Sequence, residues 1–193
     1  MNDLFSSFGF GWTMSKVLPY ALFLLLGIVM TLLVRRKSSN RKVRISAWLL
    51  TVVPFLVYFM GNPIYESDFA NDYSIVDPAD EISEMDHLTV IAIPNCPYCH
   101  EALDRLLKIQ ERTSSVNIDF KVLSTDSLAL DQYLEKAKGR INIVLESDFV
   151  PFETISKSRF PTYVFTSSAE TRIWHNDQIG TRAFDWLEGE LSG

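Results

Sequence analysis

Cys96-Pro97-Tyr98-Cys99 is the group of residues in this chain best equipped for chemistry. An apolar, β-branched run, Leu88-Thr-Val-Ile-Ala-Ile93, leads into it, and a run with helical spacing, Glu101 to Gln110, follows it. A strand that turns into a helix through C-x-x-C sets two thiols at the helix N-terminus. There the unpaired backbone N–H groups and the helix dipole favour the thiolate. The first thiolate of such a pair attacks disulfides, and the second, one turn on, resolves the mixed disulfide. The chain has 2 cysteines in all, which argues against a disulfide framework and against a four-thiolate zinc site. The residues read as a dithiol redox centre that holds its own electrons, so no cofactor and no metal is called for.

A rival of another class uses the same atoms. Cys96-x-x-Cys99-His100 also matches the covalent haem-attachment signature, with Met85 as a second axial ligand. Such domains are mostly helical, whereas this motif follows a strand, so the dithiol reading is preferred and His100 is expected to be exposed on the first helical turn. His87 and His175 have no metal-like spacing, and surface or structural roles are expected for them. Phe160, Tyr163, Phe165, Trp174 and Trp186 are read as core or rim packing.

The elements that must position the cysteines follow from periodicity. A strand (88–93) enters a helix (97–112). A second strand spans 116–123, with Val116, Ile118, Phe120 and Val122 on alternate positions. A helix over 127–138 ends at Gly139, a fitting C-cap. A short strand (141–145), a short helix (151–157), a strand over 159–165, a turn at 167–170 and a strand over 171–174 come next. A last helix opens near Thr181. Strands alternating with helices and then a hairpin predict an α/β fold whose central sheet mixes parallel and antiparallel pairs.

The first third has another character. Val17 to Val34 carries no charge and is long enough, or nearly so, for a hydrocarbon core of about 30 Å. Ile45 to Met60 is also uncharged, though short and interrupted by Pro54. A buried core helix is the alternative for either segment. The connecting residues 35–44 hold six of the 18 Lys and Arg residues, and basic loops stay in the cytoplasm. From Gly61 to Asp86 there are eight acids and no Lys or Arg. The expected organisation is an outside tail (1–16), a transmembrane helical hairpin (17–60), an acidic linker acting as a spacer (61–86) and a soluble domain (87–193). A two-pass protein of the cell (inner) membrane results, with both termini outside. A cleaved signal peptide fits poorly, because the apolar stretch starts late, its n-region is scarcely basic and no small-x-small site follows. With a net charge of −6, nucleic-acid binding is not expected.

C-x-x-C at a strand-to-helix turn, with Pro161 just before a later strand, resembles the thioredoxin fold over about residues 87–193. The resemblance implies that Pro161 is the cis-proline opposite Cys96 and that the backbone of Phe160 pairs with an extended substrate. Pro97 and Tyr98 would line the same contact surface. CPYC is the dipeptide typical of dithiol glutaredoxins, but Arg159-Phe-Pro-Thr and Gly180-Thr depart from their glutathione-binding signals. The elements inserted between Gly139 and Arg159 are more similar to the membrane-tethered TlpA/ResA-like branch, which reduces disulfides outside the cytoplasm. Two departures bear on proton transfer: the buried acid of thioredoxins is Val90 here, and the glutamate of some tethered reductases is Ala102. Glu101 and Glu153 are the remaining candidates. The resemblance thus implies a membrane-anchored thiol–disulfide oxidoreductase acting on protein disulfides, more reductant than oxidant. The hairpin also allows a membrane electron donor or a mainly structural place in a membrane complex.

Overall fold

The uncharged run that begins at Val17 is the middle of a longer helix, α1 (Trp12–Lys37). The structure, a computed structural model, describes residue 5 and residues 8–38, 40–76, 87–113, 117–167 and 170–192. Residues 1–4 and 6–7 of the expected tail, Ser39, positions 77–86 with Met85, Val116 and the hairpin turn at 168–169 lie outside that set. The chain divides into two units, Met1–Asp68 and Phe69–Gly193.

In the first unit, α1 takes up Trp12 to Lys16 of the expected tail and continues through Pro19. Its other end absorbs Arg35, Arg36 and Lys37, whose cations complement the negative end of the helix dipole. Ser38 and Asn40 then break the chain, accepting from the Asn40 and Lys42 amides, and α2 (Arg41–Ser46) follows at once. The expected ten-residue basic loop is therefore mostly helical. A turn at Ala47–Trp48 separates α2 from α3 (Leu49–Gly61). The Ala47 carbonyl there accepts from Leu50 N–H and from the Thr31 hydroxyl at 2.8 Å.

The second apolar segment consequently supplies 13 helical residues, about 20 Å at 1.5 Å per residue, short of a hydrocarbon core of about 30 Å. Among the described residues one helix, α1, is long and apolar enough to cross a membrane. A membrane anchor, a signal sequence and a core helix all meet that test. The expected pair of membrane spans thus reduces to one qualifying helix. α1 and α3 still pack antiparallel. Tyr58 meets Tyr20 at 4.9 Å and Phe23 at 4.7 Å between ring centroids, and Thr51 shares a 2.7 Å hydrogen bond with Thr31. Gly27 makes the approach possible, since a Cβ there would stand 2.6 Å from the Thr51 Cα.

The second unit is built on a six-stranded sheet in the order β1-β6-β5-β2-β3-β4. The strands are β1 (Ser74–Val76), β2 (His87–Ala92), β3 (Ile118–Leu123), β4 (Asn142–Glu146), β5 (Thr162–Thr166) and β6 (Thr171–His175). β2, β3 and β4 pair in parallel; β5, β6 and β1 add antiparallel pairs. The mixed sheet expected from the sequence is present. β1 is an addition drawn from the expected linker. It pairs with β6, while Asn71 bridges Ile179 and accepts from the Trp174 indole N–H at 3.0 Å. This part of the acidic stretch is an element of the sheet rather than a spacer.

Every residue of β2 is buried, as a central strand requires. Alternation sends Val90 and Ile91 to opposite faces. The helices are α4 (Pro97–Arg112), α5 (Leu128–Ala137), α6 (Val150–Ser156) and α7 (Thr181–Ser192). Phe184 and Trp186 of α7 meet Tyr163 and Phe165, and Tyr133 of α5 meets Phe120. On the other face Phe152 and Ile155 of α6 pack with Ile91, Val164, Ile173 and Phe160. α4 buries Cys99, Ala102, Leu103, Leu106, Leu107 and Ile109, a stripe at helical spacing.

Candidate functional site

β2 ends in the middle of the unit and hands the chain to α4 through Ile93-Pro94-Asn95. Asn95 adopts φ 57°, the left-handed turn that re-aims the backbone. Cys96 is the N-cap of α4 and Pro97 its first residue, where a missing N–H costs nothing. The Cys96 sulfur accepts from the Cys99 amide at 3.2 Å, and the Cys96 carbonyl accepts from Cys99 and His100 N–H. Cys96 and Cys99 are joined in a disulfide with Cα atoms 5.2 Å apart. Their environments differ. Cys96 keeps 9 % of its surface in solvent and Cys99 none. After reduction, the same Cys99 N–H and the helix dipole would hold a Cys96 thiolate, while the sulfur of Cys99 stays enclosed.

The Phe160–Pro161 bond is cis. The β2–β5 register sets Thr162 across from Ile91, so Phe160 and Pro161 enter the sheet at the end where β2 leaves for Cys96. Phe160 and Ile93 pack against one hydrophobic cluster, which draws these two segments to one side of that end. Tyr98 is exposed on the first turn of α4, and Pro97 beside it is exposed too. The sequence-predicted residues therefore gather at one end of the sheet. The proton-transfer candidates do not. Glu101 is solvent-facing and pairs with Arg105 at 3.7 Å, and Glu153 is exposed on α6. Val90 and Ala102 are buried.

Two polar residues at this end carry no sequence signal. Tyr133 on α5 donates its hydroxyl hydrogen bond to the Ile93 carbonyl at 2.8 Å, and its ring stacks on His100 at 4.6 Å. His100 is thus half-covered rather than free on the helix surface. Burial pushes the Tyr133 phenol up to about 12, against a smaller opposing effect of the Cys96 backbone amide. His175 is buried on β6 behind the cis-proline loop. Thr162 Oγ1 donates to the Arg159 carbonyl at 2.5 Å, which leaves it as the acceptor for His175 Nδ1 at 3.3 Å. Desolvation lowers the His175 pKa, helped by Arg159 and Lys157 and opposed by Asp177. His87, the third histidine, pairs with Asp119 at 3.0 Å.

No family model matches the chain, and no curated protein matches it. Solved structures do. A secreted Mycobacterium tuberculosis disulfide oxidoreductase, described as homologous to E. coli DsbE, is 18 % identical over 54 % of this chain and 78 % of its own, with a TM-score of 0.44. The thioredoxin domain of a Bacteroides vulgatus thiol-disulfide oxidoreductase is 19 % identical over 68 % and 88 %, with a TM-score of 0.45. A Bacteroides thiol:disulfide interchange protein is 14 % identical over 67 % and 80 %, with a TM-score of 0.40. With each of these TM-scores below 0.5, the thioredoxin-like description of residues 69–193 rests on the chain itself: its mixed sheet with flanking helices, the C-x-x-C at the β2–α4 turn and the cis-proline before β5.

Proposed function

We propose that this protein is a membrane-anchored thiol–disulfide oxidoreductase in which Cys96 is the nucleophile and Cys99 the resolving thiol. The observation that carries the reading is the pair itself: two cysteines at the start of α4, one reaching solvent and receiving an N–H, the other enclosed. The Cys96 thiolate attacks one sulfur of a substrate disulfide, forming a mixed disulfide and releasing the first substrate thiolate. Cys99, deprotonated, attacks the Cys96 sulfur and releases the second. Two electrons pass to the substrate, and the Cys96–Cys99 disulfide remains. Phe160 and Pro161, with Pro97 and Tyr98, form the surface on which an extended protein substrate lies.

Anchoring by α1 is supported by its side chains. Leu24, Leu25, Leu26, Ile28, Leu32 and Leu33 are all exposed. Full transfer of such a side chain out of water is worth roughly 1.5–3 kcal/mol, so a bilayer is a favourable environment for that surface. A second pass by the uncharged stretch 45–60, of which α3 is the main part, would place the basic connection at 35–44 in the cytoplasm and the active unit outside, the orientation that the charge asymmetry favours. The TlpA/ResA-like resemblance favours the reducing direction.

The test is trapping in cells. Cys99→Ala keeps the attack and loses the release, so mixed disulfides with substrates accumulate on non-reducing gels, whereas Cys96→Ala traps little. Equal trapping by both variants refutes the assigned roles. No trapping by either refutes exchange catalysis.

A further inference from the structure

Tyr133 lies outside every motif of this sequence, yet its side chain ends at the segment that delivers the nucleophile. The ring is 1 % exposed, held between His100 at 4.6 Å and Phe120 at 5.2 Å. Its hydroxyl donates to Ile93 C=O at 2.8 Å. One residue of α5 thus fixes the start of the passage, Ile93-Pro94-Asn95, that leads from β2 to Cys96. Lys136, one turn along α5, adds a second tie by donating to His100 C=O at 2.9 Å while pairing with Asp104 at 2.8 Å. Positions 90 and 102 are Val and Ala, so no carboxylate at either one acts on the dithiol. The phenol stays protonated at neutral pH, as a donor to Ile93 must be.

We infer that Tyr133 is a positioning residue of the dithiol: by fixing Ile93 before Cys96 and stacking on His100 after Cys99 it holds the Cys96 sulfur on the Cys99 N–H and so stabilises the reduced, thiolate form. This rests on the exchange reading of Cys96 and Cys99. A hydrogen bond to the thiolate favours the reduced state over the disulfide, so loosening the passage shifts the pair towards oxidation.

The experiment equilibrates the full-length chain, in detergent micelles, with glutathione buffers and reads the fraction of the Cys96–Cys99 disulfide. Tyr133→Phe keeps the ring and its stacking and removes only the hydroxyl. The expected result is an approximately tenfold lower equilibrium constant for reduction, a potential about 30 mV more negative, together with a raised Cys96 pKa by thiolate absorbance. Tyr133→Met, which fills the space with a flexible apolar chain, gives the same direction and serves should the Phe variant not fold. Leu187→Val, in the core under α7, shows what a merely structural loss does: both redox forms lose stability alike and the potential stays. If the folded Tyr133 variant behaves as Leu187→Val does, the inference is overturned. Failure of the exchange reading looks different. The wild-type chain then shows no disulfide exchange with proteins, while the Tyr133-dependent shift in potential persists.

Discussion

Cys96 and Cys99 are two residues of one type whose different surroundings come from where α4 begins. The N-cap position turns the Cys96 side chain back onto the helix amides, and three residues later the stripe of α4 that faces the sheet carries Cys99 inward. That difference was readable from C-x-x-C placed between a strand and a helix. The parts played by Tyr133 and His175 were not, because each acts through a backbone group or a hydroxyl supplied by a segment distant in sequence. His175 has a consequence that solution measurements reach. Its pKa in the fold lies below the ordinary 6.5, chiefly from desolvation, so folding favours the neutral ring. The associated stability is complete above about pH 6.5 and is lost as pH falls below it. Chemical unfolding at pH 7.5 and at pH 5 is expected to show a drop that His175→Gln diminishes. An unchanged drop in that variant would assign it to other groups.

At the scale of elements, the sequence was readable where burial imposes a period and unreadable where tertiary contacts decide. Ile118, Phe120 and Val122 alternate inward on β3 as their spacing indicates. The left-handed end of α5 falls at Lys138 as well as at Gly139, one residue before the glycine that marks it in the sequence. β1 has three residues inside an acidic stretch, too few for an alternation signal, and it is held by pairing with β6 and by the Asn71–Trp174 hydrogen bond. The apolar run of 45–60 gives no hint of the turn at Ala47–Trp48, since the break depends on Thr31 of α1 taking the Ala47 carbonyl. Contact between α1 and α3 rests on a small residue at Gly27, whose missing Cβ leaves room for Thr51. Gly27→Val is therefore expected to force the helices apart at a cost of about 1–3 kcal/mol, the usual range for overpacking. Unfolding of the full chain in micelles measures it, and a neutral result would show that α1 and α3 do not pack this way.

For the whole molecule, the sequence carries two features of different character, a long uncharged run and a C-x-x-C between a strand and a helix. The long uncharged run was enough to reveal α1, whereas the extent of the second apolar helix was not contained in composition. The thioredoxin-like sheet was readable as an alternation of strands and helices because its central strand, β2, must be apolar throughout. One outer strand, β1, was not, because three residues are too few to show an alternation. The proposed function turns on one asymmetry, that of a solvent-reaching Cys96 beside an enclosed Cys99. Alkylation of the freshly reduced full chain by limiting iodoacetamide, followed across pH by mass spectrometry, tests that asymmetry most directly. Cys96 is expected to be modified first and with a pKa below the free-thiol value of about 8.5, while Cys99 remains protected until the chain is denatured. Equal rates at the two cysteines, both following an ordinary thiol titration, would contradict it.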